Sequence, residues 1–89
     1  MVHAARKKGY KDGVQRRWFR VPLEQIGYVR AIFEGYDGVA VISTPDPRRG
    51  EIEIAVGEGL EAEADQIVTR LIGEAGLIEI PEPADWPSR

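Results

Sequence analysis

Apolar residues recur at two different spacings along this chain, and the order in which these spacings alternate constrains the fold more than any other feature. Two stretches, residues 23–36 and 60–75, place apolar side chains three or four positions apart, which is typical of a helix with one buried face. Four shorter segments have β-type composition: residues 15–21, 39–44, 51–56 and 77–80. The element order is therefore β-α-β-β-α-β.

This order predicts an α+β fold of the ferredoxin-like kind, a βαββαβ two-layer sandwich. Right-handed crossovers would place both helices on one face of an antiparallel sheet with strand order 4-1-3-2. The side chains expected to face the helices are Phe19, Val21, Ile52, Ile54, Val56, Ile78 and Ile80. The opposite face would pair the first strand's Arg16, Trp18 and Arg20 with Glu51, Glu53 and Glu79 of its neighbours.

The 89 residues leave room for one folded domain between two tails. Residues 1–13 are basic and show no periodicity, so we expect a mobile arm there, followed by a single domain over residues 14–81. Residues 82–89 form a proline-rich tail, whose Trp86 either folds back onto the domain or serves as a partner ligand. No apolar run is long enough to cross a bilayer, which predicts a cytoplasmic protein without a membrane partner.

Charge is distributed unevenly along the chain. Residues 1–20 contain seven Lys and Arg against one Asp, whereas residues 21–89 contain five bases and fourteen acids, for a net charge of −3. A basic arm on an acidic body is typical of a nucleic-acid-binding tail, and equally of an arm held against its own domain. RNA binding through the arm is therefore an alternative function. The glutamates expected around Trp18 would repel phosphate and keep such binding weak.

The side chains that usually carry catalysis are scarce. The chain has no cysteine, and its one histidine, His3, lies in the arm, so neither a Ser-His-Asp set nor a metal site with His or Cys ligands can be assembled. Asp37 and Asp46 fall at opposite ends of the second strand and cannot share a site. We therefore expect no enzyme, no metal and no cofactor.

The second strand combines an edge position with apolar side chains on both of its faces. In the predicted order it has one neighbour only, yet its sequence includes Val39, Val41 and Ile42. Exposed apolar edges are normally covered or paired. These three residues therefore predict self-association, with a homodimer as the expected oligomer.

The loop after that strand presents two adjacent arginines. Residues 45–50 contain two prolines, Arg48, Arg49 and a final glycine, so the loop is stiff and the entropic cost of holding an anion there would be low. One interpretation is that Arg48 and Arg49 bind a small anionic ligand or an acidic protein partner. The other is an ordinary hairpin loop with solvated arginines.

Two resemblances rest on particular residues. The stretch from Tyr28 to Ala40, together with Ser43 to Pro47 and Gly50, resembles a family of short bacterial proteins described as domain of unknown function 4911, over about residues 16–80. That resemblance implies no activity and no site residue. The element order is also loosely similar to ACT-type regulatory domains, which bind amino acids between subunits at a glycine after the first strand. That likeness implies a ligand site at Gly27, although Gln25 and Ile26 replace the acidic residue and proline that often precede the glycine.

These observations predict a non-enzymatic, ACT-like module that binds a small ligand or a protein partner and forms a homo-oligomer. The alternative is a weak RNA-binding domain that uses its basic arm.

Overall fold

A computed structural model describes residues 10, 11, 13–36 and 38–86, which form an antiparallel sheet with two helices on one of its faces. The strands and helices are β1 (Tyr10–Lys11), β2 (Val14–Arg20), α1 (Ile26–Glu34), β3 (Ala40–Ser43), β4 (Glu51–Gly57), α2 (Glu61–Ala75) and β5 (Ile78–Ile80). The coarse prediction of an α+β fold is confirmed. His3, Asp37 and most of the predicted arm lie outside the described residues.

The sheet runs in the order β3-β4-β2, and β1 and β5 both pair with the free side of β2. Without the short β1, this is the predicted order 4-1-3-2 read from the opposite edge. All pairs are antiparallel, and β2 is aligned along its whole length with β4, so that Phe19 lies opposite Ile52. Tyr10 and Lys11, which the sequence analysis placed in the arm, pair with Gln15 and Val14.

Local backbone conformation and hydrogen bonds set the ends of the two helices. After Pro22 the chain makes a 3₁₀ turn over Leu23–Gln25, and α1 begins at Ile26, three residues later than the apolar spacing suggests. The amide of Gly59 donates to the Glu61 carboxylate at 3.0 Å, which satisfies one of the free donors before α2. Gly76 ends α2 in the left-handed conformation, at φ 76°.

One apolar core lies between the sheet and the helices. From the sheet it receives Phe19, Val21, Ile52, Ile54 and Val56, all fully buried as predicted. The helices and the segment after them contribute Ile26, Val29, Phe33, Ala64, Ile67, Val68, Leu71, Ala75 and Leu77. Burial of this set supplies most of the free energy that favours folding.

The predicted phase of the last strand is wrong. Glu79 lies opposite Phe19, and Ile80 lies opposite Trp18. Directly opposed residues share a face of the sheet, so Glu79 faces the helices, while Ile78 and Ile80 lie on the open face. Ile78 is 58 % exposed, and the buried position that the prediction gave to the isoleucines is filled by Leu77.

Arg17 explains why a glutamate is tolerated on the helix side. Its Nε and Nη2 each donate to the Glu79 carboxylate at 2.9 Å, and its Nη1 lies 3.3 Å from Asp65 of α2. The guanidinium carbon also lies 5.4 Å from the centre of the Phe19 ring, a cation–π contact. Arg17 therefore links β2, β5 and α2, and its hydrogen bonds lower the pKa of Glu79.

Gly50 fixes the loop between β3 and β4 against the end of β2. It adopts φ 69°, and its carbonyl accepts a hydrogen bond from the amide of Val21 at 2.7 Å. A Cβ at this position would lie 2.9 Å from the Val21 carbonyl oxygen, which is backbone and cannot move aside cheaply. Glycine is required here for both its conformation and its lack of a side chain.

We predict that Glu79→Gln destabilises the chain at neutral pH by at most about 1 kcal/mol, since the ion pair with Arg17 is partly exposed. Folding holds the pKa of Glu79 below its ordinary value of 4.5, so its stabilisation is present above that value and is lost as the pH falls through the folded-state pKa. Urea denaturation of both proteins at neutral pH and near about pH 3 measures this. Glu82→Gln, on the exposed tail, is the control; an equal deficit for Glu79→Gln at both pH values would contradict the prediction.

We also predict that Gly50→Ala lowers the free energy of unfolding by about 1–3 kcal/mol, because alanine would be strained at this φ and would meet the Val21 carbonyl. Gly27→Ala is the matched comparison. Gly27 lies in the first turn of α1 with open space around its Cα, so alanine there should leave stability unchanged or raise it by up to about 1 kcal/mol. Equal urea midpoints for the two variants would rule out this account of Gly50.

Candidate functional site

Two surfaces of the described chain are candidate binding sites, and the first is the edge of the sheet at β3. This strand pairs with β4 and with no other described strand. Beside it runs a groove of about 620 Å³ with apolar walls, which include Phe33, Val39, Val41 and Ala55. The free side of an edge strand presents a row of unpaired backbone donors and acceptors, to which another strand can be added.

The three residues predicted to form the oligomer edge differ in exposure. Val41 lies opposite Ala55 on the open face and is 67 % exposed. Val39 and Ile42 are partly buried and pack against the core. The apolar residues of this segment therefore differ in environment: Val39 and Ile42 pack on the core, whereas Val41 is exposed to solvent at the edge.

Two charges of opposite sign flank this edge from the helix side. Arg30 Nη1 donates to the Thr44 hydroxyl at 3.1 Å, which places Arg30 at the carboxyl end of β3. Glu34 also lines the groove, one helical turn further along α1, and lies next to the connection that enters the amino end of β3. The edge is therefore positive at one end and negative at the other.

The second surface is the loop that carries both arginines. Asp46 caps a 3₁₀ turn over Pro47–Arg49 by accepting a hydrogen bond from the Arg48 amide at 3.1 Å. The Arg48 side chain turns back to the same carboxylate, with Nε 3.1 Å from Asp46 Oδ1. Asp46, whose pKa these bonds lower, is the partner of Arg48 in this conformation.

Arg49 makes a two-pronged contact with the C-terminal tail. Its Nη1 and Nη2 each donate to one oxygen of Asp85 at 3.0 Å, and Nη2 also lies 2.6 Å from Glu51 Oε1. The hydrogen bonds from Arg49 lower the pKa of Asp85. The tail therefore runs from the end of β5, where Ile80 lies opposite Trp18, to the β3–β4 loop.

Trp86 completes this contact. It encloses a cavity of about 80 Å³ together with Pro45, Asp46, Arg49 and Glu51. Of the two interpretations of the tail, fold-back is the conformation found, although Trp86 lies on a mixed polar surface rather than an apolar patch. The predicted anion ligand of the two arginines stays a prediction, and a carboxylate of the chain itself occupies Arg49.

Sequence analysis placed Glu53 on the open face but did not foresee its burial. Glu53 lies opposite Trp18, is only 1 % exposed, and its Oε2 is 3.5 Å from Arg16 Nε. The predicted pairing of Arg16 with an acid of the neighbouring strand is thus present, with Glu53 buried and Arg16 partly exposed. The nearby Trp18 Nε1 is also buried and has no hydrogen-bond partner among the described residues.

Gly27 is not among the residues that line either surface. The described residues contain no cluster of three or more His, Cys, Asp or Glu that could hold a metal ion. Within the same part of the chain, neither helix has the length and apolar composition needed to span a membrane. Most of the basic arm lies outside the described residues, so RNA binding through it stays a prediction.

A family model described as "Domain of unknown function (DUF4911)" matches residues 19–81, which run from the last two residues of β2 to the residue after β5. No curated protein matches the chain. No solved structure matches it either.

We predict that acid releases the tail. In the docked state the pKa of Asp85 is below its ordinary value of 3.8, so docking is favoured above that value and weakens as the pH falls through the lowered pKa. Trp18→Phe leaves Trp86 as the one tryptophan, whose quenching by acrylamide should rise with acidification. Adding Arg49→Ala should give high quenching already at neutral pH, whereas Arg48→Ala should change nothing. Low quenching in the Arg49→Ala protein would refute the ionic contact.

Proposed function

The chain belongs to the domain of unknown function 4911 family, whose description names no activity, and from the geometry we propose a ferredoxin-like binding module that acts as a homodimer. Two copies pair edge to edge through β3 and build one continuous sheet. The observation that carries this proposal is the unpaired apolar edge of β3, with opposite charges at its two ends.

The edge lacks the features that usually prevent strand addition. Natural edge strands are protected by lysines, prolines, bulges or inward-pointing charges. The sequence of β3 is Ala-Val-Ile-Ser, which has none of the protective residue types, and its outward Val41 is largely exposed. Strand addition at this edge would satisfy the free backbone groups and cover Val41.

A second copy fits this edge because the edge is complementary to itself. A two-fold axis perpendicular to the sheet at Val41 makes the two strands antiparallel and sets Val41 against its own copy. The carboxyl end of each β3 then lies beside the amino end of the other. Arg30 of one copy therefore faces Glu34 of the second copy, and the same contact occurs twice. Opposite charges across an interface select the matching register.

The groove gives such a dimer room for a small ligand. Its volume of about 620 Å³ falls within the range of small-molecule sites, and a second copy would close the side that is open in one chain. A ligand between subunits is also what the likeness to ACT-type domains implies. In this proposal the ligand contacts Phe33 and Val39 rather than Gly27, since Gly27 does not line the groove.

We predict that Val41→Lys abolishes dimer formation, because a charge at the two-fold axis would face its own copy. Sedimentation velocity from about 1 µM to about 1 mM protein measures the mass in solution. The control is Ile78→Lys, which places the same charge on a similarly exposed isoleucine in β5, at the opposite edge of the sheet. A wild-type chain that remains monomeric over this range would refute the dimer.

A charge exchange tests the register. Arg30→Glu alone and Glu34→Arg alone each create two like-charge contacts and should raise the dissociation constant about tenfold or more. The double variant Arg30→Glu/Glu34→Arg restores opposite charges and should recover most of the wild-type affinity. Failure of the double variant to recover, with each variant folded by circular dichroism, would exclude this register.

A further inference from the structure

The C-terminal tail lies on the Arg49 loop in the way that a peptide lies on a receptor. Residues 81–86 form no helix or strand and contribute no side chain to the hydrophobic core. They are attached through the two hydrogen bonds from Arg49 to Asp85 and through the packing of Trp86. A contact made by one carboxylate and one adjacent aromatic ring is chemistry that a short segment of another protein can reproduce.

The receptor side of this contact is shaped by the body of the domain. Gly50 anchors the loop to Val21, and the Asp46 cap and Pro47 hold the turn. Glu51, on β4, lies 2.6 Å from Arg49 Nη2 and keeps the guanidinium in place. None of these contacts involves the tail, so the surface should keep its form when the tail leaves. A preformed surface binds with less loss of conformational entropy.

The charges of this surface favour a carboxylate over a phosphate. Arg49 presents the fork that matches two carboxylate oxygens. Asp46 and Glu51 flank the same cavity, and their negative charge would repel a group that carries two charges. Pro45 lines the same cavity as Trp86, so an apolar ring is available to an aromatic side chain placed there.

The tail itself is held weakly enough to be displaced. The Asp85 side chain is 72 % exposed and that of Arg49 is 35 % exposed, and solvent screens ion pairs in which one partner is this accessible. Proximity makes the intramolecular contact effective without strong affinity. A partner segment at sufficient concentration can then take its place.

We propose that Pro45, Asp46, Arg49 and Glu51 form a receptor for a short segment of a partner protein, an acidic residue followed directly by a tryptophan, and that Asp85 and Trp86 occupy it in cis. This Arg49 receptor shares no lining residue with the β3 groove, so it adds a second interaction to the proposed dimer. The tail thereby acts as a built-in competitor of the partner.

The test uses the full chain with its tail disabled by Asp85→Ala/Trp86→Ala. The probe is a synthetic peptide of residues 81–86 with both ends blocked, followed by amide chemical shifts in the loop from Pro45 to Glu51. The disabled chain should bind one peptide, and the wild-type chain should bind it at least about tenfold more weakly because its own tail competes. A peptide with asparagine in place of the aspartate should bind at least about tenfold more weakly than the parent peptide.

Two further variants of the disabled chain make the result specific. Arg49→Ala should abolish peptide binding, whereas Arg48→Ala, which removes the neighbouring arginine that pairs with Asp46, should retain it. Retention of binding in the Arg49→Ala protein would overturn the proposal, and so would displacement of the peptide by inorganic phosphate at equal concentration. Should the disabled chain fail to fold, Asp85→Asn replaces it with the same expected results. Adding Arg30→Glu, which weakens the proposed dimer, should leave peptide binding unchanged and so separates the two proposals.

Discussion

The position of β2 at the centre of the sheet is the constraint on which the other features depend. It pairs with β4 on one side and with β1 and β5 on the other. The register of these pairs therefore decides which side chains of the neighbouring strands share a face with each side chain of β2. Phe19 is buried under the helices, and the neighbouring Trp18 lies on the open face. β5 ends opposite Trp18, and the tail that follows it meets the loop that Gly50 anchors to Val21. The location of the proposed Arg49 receptor thus depends on how β2 is paired.

Local periodicity predicted the two helices and four of the five strands, and the preference for right-handed crossovers predicted the order of those four. Periodicity did not identify β1 or the phase of every strand. In β4 three apolar residues alternate with charged or small ones, and all three are fully buried. The segment Leu77–Ile80 offers two consistent phases, since Leu77 and Ile78 are both apolar. The structure selects the phase that sends Glu79 to Arg17, a contact between residues 62 positions apart. No local pattern contains that information.

The candidate surfaces show the same division between local and distant information. Val41 could be recognised because an apolar strand at a sheet edge is unusual. Arg30 and Glu34 were not identified as candidate site residues, because charges one turn apart are common on helix surfaces. Only their position beside the β3 edge makes them candidates for an interface. Arg49 was recognised from its stiff loop, but its partner Asp85 lies 36 positions away. The burial of Glu53 could not be predicted, because alternation along a strand identifies the face on which a residue lies but not what covers that face.

The two proposed interactions obtain specificity in different ways. Backbone hydrogen bonds at β3 can be made by almost any strand, so pairing alone does not choose a partner. Arg30 and Glu34 supply that choice, because a second copy aligned in parallel would bring arginine to arginine and glutamate to glutamate. At the proposed Arg49 receptor, specificity comes from repulsion of excess negative charge. Arg49 binds a single carboxylate, while the nearby Asp46 and Glu51 repel a group that carries two negative charges. In both proposed interactions, specificity therefore depends more on the charges that exclude alternative partners than on the contacts that attract the intended one.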